Sequence, residues 1–486
     1  MVFSSHLFLF YFLPVALGIY YMLPRRGKHL GLTILSYIFY GWANPLFVVL
    51  MMTSTLIDYI CGLVTTGQLS RDAWQRPIPV LEKGGRRTRG QKAAVVVSIC
   101  SNLALLGFFK YFNFATENYD AILEALGLAN LKLDLLFKIT LPLGISFYTF
   151  QSMSYSIDVY RGDARGIRNF IDFACYVSMF PQLVAGPIIR FSEVADQLEN
   201  RTYTLEKFAR GAAFISLGFA KKILLANACG KIADLAFGAG SVGFLDSWFG
   251  AVAYAFQIYF DFSAYSDMAI GLGLMLGFVF PKNFDSPYRA KSITEFWTRW
   301  HLSLSSWLRD YLYIPLGGNR KGPSRTYVNL ALVMLLGGLW HGASWNFIIW
   351  GGIHGAMLAF ERSRGRKSLY AALPRAVRTA ITFLIVVFAW VFFRADDLPG
   401  ALQYCGSMLG LSDVHQGAAL LGGILYKPYY LGSFLVACLI TWTFPQTWDW
   451  TRRISWVKVP LIAAALWLGV IVLTTQEFNP FIYFIF

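Results

Sequence analysis

Long apolar stretches separated by short polar connections run along the whole 486-residue chain. An α-helix rises about 1.5 Å per residue, so roughly 20 apolar residues cross a hydrocarbon core of about 30 Å. The period-2 alternation of barrel strands is absent from the sequence. The pattern predicts an all-α, polytopic membrane protein with about ten to twelve transmembrane helices. The apolar stretches cover residues 2–23, 30–43, 46–67, 93–113, 136–160, 211–220, 248–280, 328–360, 379–393, 429–444 and 459–475.

Two stretches depart from this simple pattern. Residues 171–187 are broken by Pro181, Gly186 and Pro187, which predicts a re-entrant segment, a form that needs protein or water to satisfy its backbone. The segment SITEFWTRWHLSLSSWLRDYLYI, residues 292–314, places its large apolar side chains at helical spacing. Its polar residues cover the remaining surface, so we predict one helix lying in the membrane interface.

Composition agrees with a membrane location, since 56% of residues are hydrophobic and only 14% are charged. The formal net charge of +15 sits in connecting loops, as in the basic cytoplasmic loops of membrane proteins, and we expect no nucleic-acid partner. The connection 114–135 is acidic apart from Lys132. This alternation predicts a periplasmic N-terminus on a retained first helix. The six scattered cysteines indicate neither disulfides nor zinc, and without repeats or a soluble segment we expect one membrane domain, 1–486.

The apolar stretch 328–360 contains a histidine, His341, in the run GGLWHGASWN. Basic residues flank the stretch on both sides, so it must enter the membrane and return, with Gly342 as the break. On a helix that starts near Val328, His341 lies about 20 Å along the axis. A neutral imidazole at that depth should face protein or water, and with a reference pKa of about 6.5 it suits a general base. The alternative is a buried histidine with a structural role, which forms a hydrogen bond to a neighbouring helix.

Other polar residues in apolar stretches receive structural interpretations first. His301, His341 and His354 have spacings that match no common metal motif, and no carboxylate accompanies them, so we expect no metal and no bound cofactor. Lys221 and Lys222 either snorkel to an interface, which we favour, or form a patch for an anionic donor. Gln257, Asp261 and Tyr265 share one helical face and form either an ordered polar network, which we favour, or a catalytic one. The other intramembrane acids are expected to have internal partners; they are Asp267, Asp58 and Asp158.

Several long motifs follow one another along the chain: MVFSSHLFLFYFLP, FPQLVAGPIIRF, YFDFSAYSDMAIGLGLMLGF, SITEFWTRWHLSLSSWLRDYLYIPLGGNRKG and LLGGLWHGASWNFIIWGGIHG. In these the chain resembles the membrane-bound O-acyltransferase (MBOAT) family, and within it the alginate O-acetyltransferase branch. The resemblance implies a catalytic histidine in LWHG, at His341, and a second functional histidine in RWHLSLS, at His301. In the same motifs we expect substrate-binding residues, namely Trp340, Asn319, Arg320, Lys321, Trp307 and Asp310.

The resemblance also implies a bacterial inner-membrane enzyme that takes acetyl groups from a cytoplasmic thioester, with acetyl-CoA as the expected donor. Periplasmic acetyltransferase partner proteins would then modify the polymer, alginate by this resemblance. Related branches serve cellulose, peptidoglycan or teichoic acid, and likeness of fold does not choose among them. A substrate transporter and a lipid or protein acyltransferase remain alternatives. A carrier would move intact ligand, whereas an acyltransferase separates acetyl from its carrier.

Overall fold

The structure is a computed structural model that describes residues 2–69, 71–365, 367–412, 414, 421–476 and 479–482. Throughout these residues the secondary structure is helical and no strand occurs, which confirms the predicted all-α class. His415 and Arg366, which the sequence places in a loop and a basic segment, lie outside the described residues.

Within the described part of the chain, five helical runs are long and apolar enough to span a bilayer: Pro45–Thr66, Arg89–Ala125, Leu205–Gly238, Arg375–Arg394 and Lys458–Thr475. Two shorter apolar runs, Leu7–Met22 and Pro428–Thr443, accompany them. The chain is therefore a multi-pass membrane protein, while the count of ten to twelve passes stays a prediction.

The chain packs as two compact units, residues 1–208 with 273–280 and residues 209–272 with 281–486. The expectation of a single domain over 1–486 stays a prediction. The first unit contains α1 (Leu13–Met22), α2 (Lys28–Gly41), α3 (Pro45–Thr66), α4 (Arg89–Ala125), α5 (Ile145–Arg161), α6 (Phe170–Ser178), α7 (Phe180–Leu183) and α8 (Phe191–Glu199). It also contains a π-helical segment, Leu7–Phe12, and 3-10 turns at Arg25–Gly27, Arg71–Gln75 and Ala129–Leu131.

Local sequence explains where these helices begin. Asn44 caps α3 by accepting from the Leu46 backbone N–H, and Pro45 follows in the first turn, where its missing N–H costs nothing. Thr88 and Gln91 form a reciprocal capping box at the start of α4. Such signals precede two of the apolar stretches and fix their entry points.

The first unit buries polar groups as internal partners. Asp58 on α3 accepts hydrogen bonds from Ser98 and Asn102 on α4, at 2.5 Å and 2.8 Å. Asp158 accepts from the backbone N–H of Ser192, 3.1 Å away. The expected structural roles of these two acids are confirmed. The broken stretch 171–187 forms α6, α7 and irregular backbone, with residues 173–187 all buried by protein, as a re-entrant segment would require.

The second unit begins within a long helical run and holds most of the remaining helices. These are α9 (Leu205–Ala220), α10 (Asn227–Gly238), α11 (Phe244–Met275), α12 (Ile293–Trp297), α13 (Leu302–Leu308), α14 (Pro323–His341), α15 (Trp345–Ser363), α16 (Arg375–Arg394), α17 (Leu398–Met408), α18 (Gly422–Leu425), α19 (Pro428–Thr443), α20 (Thr447–Trp450) and α21 (Lys458–Thr475). Two π-helical turns, Lys221–Ala226 and Arg309–Tyr313, and a 3-10 turn, Pro287–Arg289, complete it.

Helices α14 and α15 form the hairpin that the sequence predicted. Helix α14 ends at His341, Gly342 is extended, and Ser344 caps α15 by accepting from the Asn346 N–H. The helices approach closely at glycines, since a Cβ on Gly338 would meet the Phe347 backbone. Because α14 starts five residues before the expected Val328, His341 lies about 27 Å along it at 1.5 Å per residue.

The lysine pair in the π-helical turn corrects the snorkelling prediction. Lys222 is internal, with its Nζ 2.9 Å from Asp261 and both side chains at most 3% exposed. Lys221 lies 2.6 Å from Asp267 and 2.6 Å from the Thr447 hydroxyl. Snorkelling fails for Lys222, because its ammonium is buried beside Asp261. Lys221 pairs with Asp267 but also lines a mostly apolar cavity of about 670 Å³, so a patch for an anionic donor stays a prediction for that residue. The expected internal pairing of Asp261 and Asp267 is confirmed.

Candidate active site

The segment 292–314 is broken rather than one interfacial helix. Helix α12 ends at Trp297, and His301 adopts a left-handed backbone, φ 45° and ψ 58°, immediately before α13. Non-glycine residues avoid this region because their Cβ crowds the carbonyl, at a cost of about 1–2 kcal/mol. The prediction of a continuous helix was wrong because long-range partners hold His301 in this strained conformation.

His301 is almost completely enclosed, with 1% of its surface exposed. Its Nδ1 lies 3.1 Å from the Asn283 side-chain oxygen, and its ring packs edge-on against Phe262 at 4.6 Å. Nε2 has no hydrogen-bond partner among the described residues. His301 lies between α12 and α13, outside the candidate spans, and burial lowers its pKa well below 6.5, with charge on nearby His341 acting in the same direction. The imidazole is therefore neutral at physiological pH.

His341 ends α14 within a box of aromatic rings. Ring centroids lie 4.8 Å away for Trp340, 5.4 Å for Trp350 and 5.1 Å for Phe393. Trp340 also contacts His301, with centroids 6.4 Å apart. Both histidines of the predicted pair thus pack against one indole, so the structure brings together residues that are 40 positions apart.

A cavity of about 510 Å³ opens beside His341. Its walls are mostly apolar and come from the α12–α13 segment, α14 and α15; they include Trp297, Leu304, Leu308, Val333, Met334, Gly337, Trp350 and Leu358. Hydroxyl groups of Ser305 and Ser306 and the charged side chains of Arg309 and Arg362 add polar points. The arrangement suits a slender chain with a polar or anionic end.

Of the expected site residues, His341 and Asn319 line this cavity. Asn319 accepts a hydrogen bond of 2.7 Å from the Tyr313 hydroxyl, which also faces the cavity. The remaining expected site residues are not among the described residues that line the cavity. Arg320 and Lys321 are exposed in the loop before α14. The Trp307 ring packs against Tyr311 in a tilted arrangement, with centroids 5.0 Å apart, and Asp310 pairs with Arg309 at 2.7 Å.

Sequence reasoning missed Arg362 and its neighbour Glu361 on α15. Arg362 lines both the His341 cavity and an adjoining pocket of about 270 Å³, and Asn319 is shared in the same way. Glu361 is 1% exposed and accepts from the backbone N–H groups of Ile293 and Thr294, at 3.0 Å and 2.8 Å, anchoring α12. The missed signal was position, because Arg362 lies only two residues beyond the apolar stretch 328–360, in the last turn of α15, and was counted only as a loop charge.

The third histidine of the region, His354, is buried behind Trp350, with ring centroids 5.0 Å apart. Its Nδ1 accepts a hydrogen bond of 3.3 Å from the Trp297 indole. Across the residues the structure describes, no group of three or more His, Cys, Asp or Glu could hold a metal ion. His301 and His341 are imidazoles in an aromatic, largely apolar enclosure, an arrangement that can support acid–base chemistry.

The fold and the site together define a class: a multi-pass helical membrane protein with a histidine in the wall of a mostly apolar cavity. Residues 163–395 match the membrane-bound O-acyltransferase family. A Pseudomonas putida protein named "Probable alginate O-acetylase AlgI" is 43% identical over the full length of both chains, and an Azotobacter vinelandii protein of that name is 42% identical, again over both full lengths. A Helicobacter pylori peptidoglycan O-acetyltransferase is 36% identical across 85% of this chain and 81% of its own. The chain belongs to the membrane-bound O-acyltransferase family and is an O-acyltransferase.

Proposed function

We propose that this enzyme takes an acetyl group from a cytoplasmic thioester and relays it across the bacterial inner membrane for O-acetylation of an extracellular polysaccharide, alginate. The observation that carries the proposal is the mostly apolar cavity lined by His341 together with Arg309 and Arg362. Similarity to alginate O-acetylases over the whole chain supports alginate as the polymer. The expected donor is acetyl-CoA, and no bound cofactor is needed.

In the reaction that we propose, His341 acts as the general base. Its imidazole takes the proton of an incoming hydroxyl, whose oxygen attacks the thioester carbonyl carbon. The C–S bond breaks, the acetyl group joins the hydroxyl oxygen, and the thiolate takes the proton back from the imidazolium to leave as a thiol. The apolar walls exclude water that would otherwise hydrolyse the thioester.

The donor would enter past the adjoining pocket of Arg362 and Asn319. A thioester on a long, thin arm suits the mostly apolar cavity, and the phosphates of the donor would lie near Arg309 and Arg362. Arg320 and Lys321, which follow Asn319 directly in the chain, are exposed and would attract the anionic donor through its charge. In this proposal the basic loops lie at the cytoplasmic face, and the charge pattern supports an N-terminus in the periplasm.

The relay would end on periplasmic acetyltransferase partner proteins, which pass the group to the polymer. The 36% identity to a peptidoglycan O-acetyltransferase supports peptidoglycan as an alternative acceptor by the same relay, and cellulose is a further one. A non-catalytic transporter is the rival from another class. Release of free thiol from the donor distinguishes an acyltransferase from a transporter, since a transporter leaves the thioester intact.

The test is donor cleavage by the purified protein in lipid nanodiscs with radiolabelled acetyl-CoA and alginate oligomers. We expect His341→Ala to lower thiol release by about 10²–10⁴, the usual contribution of a general base. His301→Asn should also lower it while keeping the left-handed backbone, which asparagine tolerates. His6→Ala is the matched control, because His6 is exposed on the first helical run. Undiminished release by His341→Ala would refute the base assignment.

Acceptor identity is tested by the same assay with different polymers. We expect acetyl transfer to alginate oligomers in the presence of the periplasmic partner, and none to cellulose or peptidoglycan fragments. If acetyl is transferred only to peptidoglycan fragments, peptidoglycan replaces alginate as the proposed acceptor and the proposed reaction stays the same. Uptake of intact acetyl-CoA into proteoliposomes without thiol release would favour the transporter.

A further inference from the structure

Among the described residues, the side-chain amide of Asn283 makes the shortest polar contact with the His301 ring. This residue lies between α11 and α12 and is 1% exposed. Its side-chain oxygen lies 3.1 Å from His301 Nδ1, and its backbone oxygen accepts from the Leu302 N–H at 2.9 Å. Asn283 therefore holds both the imidazole and the backbone that follows it.

The orientation of the Asn283 amide is determined by its other contacts. The backbone N–H of Ser303 points at the same side-chain atom, 3.3 Å away, and the Ser303 hydroxyl donates to it at 2.9 Å. A backbone N–H only donates, so the atom facing it must be the oxygen. The amide nitrogen faces the other way and donates to the Ser266 hydroxyl at 2.8 Å.

An oxygen facing His301 Nδ1 requires a hydrogen on that nitrogen. The Ser303 hydroxyl also lies 3.4 Å from Nδ1, but its shorter contact is with the Asn283 oxygen. A neutral imidazole with hydrogen on Nδ1 carries its lone pair on Nε2. Nε2 is the buried ring nitrogen that has no hydrogen-bond partner among the described residues.

We propose that Asn283 is a positioning residue that fixes the tautomer of His301, so that Nε2 acts as a hydrogen-bond acceptor in acyl transfer. This inference rests on the proposed function, and it gives His301 a specific role. A bare Nε2 cannot donate to an oxyanion, so the neutral ring does not stabilise the developing negative charge. It accepts instead from a hydroxyl or N–H group and aligns that group for reaction.

A direct test reads the tautomer by ¹⁵N NMR of protein labelled at histidine. The chain has six histidines, and the difference between wild type and His301→Asn assigns the His301 signals. At neutral pH we expect a protonated Nδ1 and a bare Nε2 in the wild type, and a mixture of tautomers in Asn283→Leu. A protonated Nε2 in the wild type, or an unchanged tautomer in Asn283→Leu, would overturn the proposal.

The kinetic test uses Asn283→Asp, which keeps an oxygen acceptor and adds negative charge. The carboxylate favours the imidazolium, which has no lone pair on Nε2. We expect kcat at high pH to stay within about threefold of wild type while the acid limb of the pH profile moves to higher pH by about one unit. Asn283→Leu should lower kcat by at least tenfold with little change in the KM for donor. A wild-type profile in both variants would contradict the positioning role.

Asn329→Leu provides the matched control for loss of a buried amide. Asn329 is 0% exposed on α14, and its nitrogen donates to the Gly318 carbonyl at 3.0 Å. We expect this variant to lower stability and leave the His301 tautomer unchanged, and a changed tautomer would count against a specific role for Asn283. The NMR result is independent of turnover, so a failed proposed function, seen as full activity in His341→Ala, is distinguishable from a failed tautomer assignment.

Discussion

The buried ion pair between Lys222 and Asp261 gives the sharpest stability prediction. Lys222 Nζ lies 2.9 Å from one Asp261 oxygen and also donates to the Pro480 carbonyl. The other Asp261 oxygen accepts from the Ile482 N–H at 2.9 Å. The pair therefore connects the π-helical turn, α11 and residues 479–482. Removing one member leaves the opposite charge enclosed with too few partners.

The magnitude follows from that burial, since both side chains are at most 3% exposed. Breaking a buried pair by removing one partner costs about 3–5 kcal/mol, whereas removing both charges together costs much less. We expect Lys222→Met and Asp261→Asn each to lower the free energy of unfolding by about 3–5 kcal/mol. The double variant should fall short of the sum of the single effects by about 2 kcal/mol or more.

The assay is unfolding in mixed micelles with increasing sodium dodecyl sulfate, followed by the fluorescence of the 15 tryptophans. Lys367→Met is the control, because Lys367 is exposed and a surface change of this kind alters stability by less than about 0.5 kcal/mol. Single effects that simply add in the double variant would refute the reasoning, since the two charges would then be independent. So would a Lys222→Met variant as stable as the control.

The remaining predictions concern the hairpin and the cavity. Arg362→Gln should raise the KM for donor about tenfold at similar kcat, because a charge-assisted hydrogen bond to the donor is lost. The control is Arg364→Gln at an exposed position, which should leave this KM unchanged in initial-rate assays. Equal KM values for the two variants would remove Arg362 from the donor site. Gly351→Ala places a methyl against the backbone of α14 and should lower the free energy of unfolding by about 1–3 kcal/mol. Gly352→Ala is the control, because its methyl meets only the end of a side chain 3.8 Å away. Equal unfolding midpoints for the two variants would contradict this packing. Glu361→Gln should lower stability by about 1 kcal/mol, since its carboxylate accepts from two backbone N–H groups of α12, and an unchanged midpoint would show that the charge is unimportant there.

The hairpin of α14 and α15 was predictable because its signals are local. An apolar stretch too long for one span, basic residues on both sides and Gly342 in the middle already indicate a helix that ends and returns. The structure ends α14 at His341 and starts α15 at Trp345. Only the start of α14 was misplaced, by five residues, because Pro323 after a glycine is a helix start that the apolar pattern alone does not mark.

The break at His301 was not predictable, since helical spacing continues across it. What stops the helix there is a set of hydrogen bonds from Asn283, 18 positions earlier. The same limit explains Lys222 and Arg362. Each was interpreted from its neighbours in sequence, as a snorkelling residue and a loop charge, while its actual environment comes from helices that are distant in sequence.

The position of His341 at the end of α14 bears on why it, rather than His301, would be the base. The carbonyl end of a helix carries partial negative charge and favours positive charge nearby, by about 0.3–1 kcal/mol at exposed sites and up to about 2 kcal/mol when partly buried. An imidazole there is helped as it takes up a proton during the reaction. His301 lies before α13 in an enclosure that disfavours charge. In the proposed reaction the two histidines that contact one indole would therefore have different roles: His341 would gain and lose a proton, and His301 would stay neutral and align the reacting group.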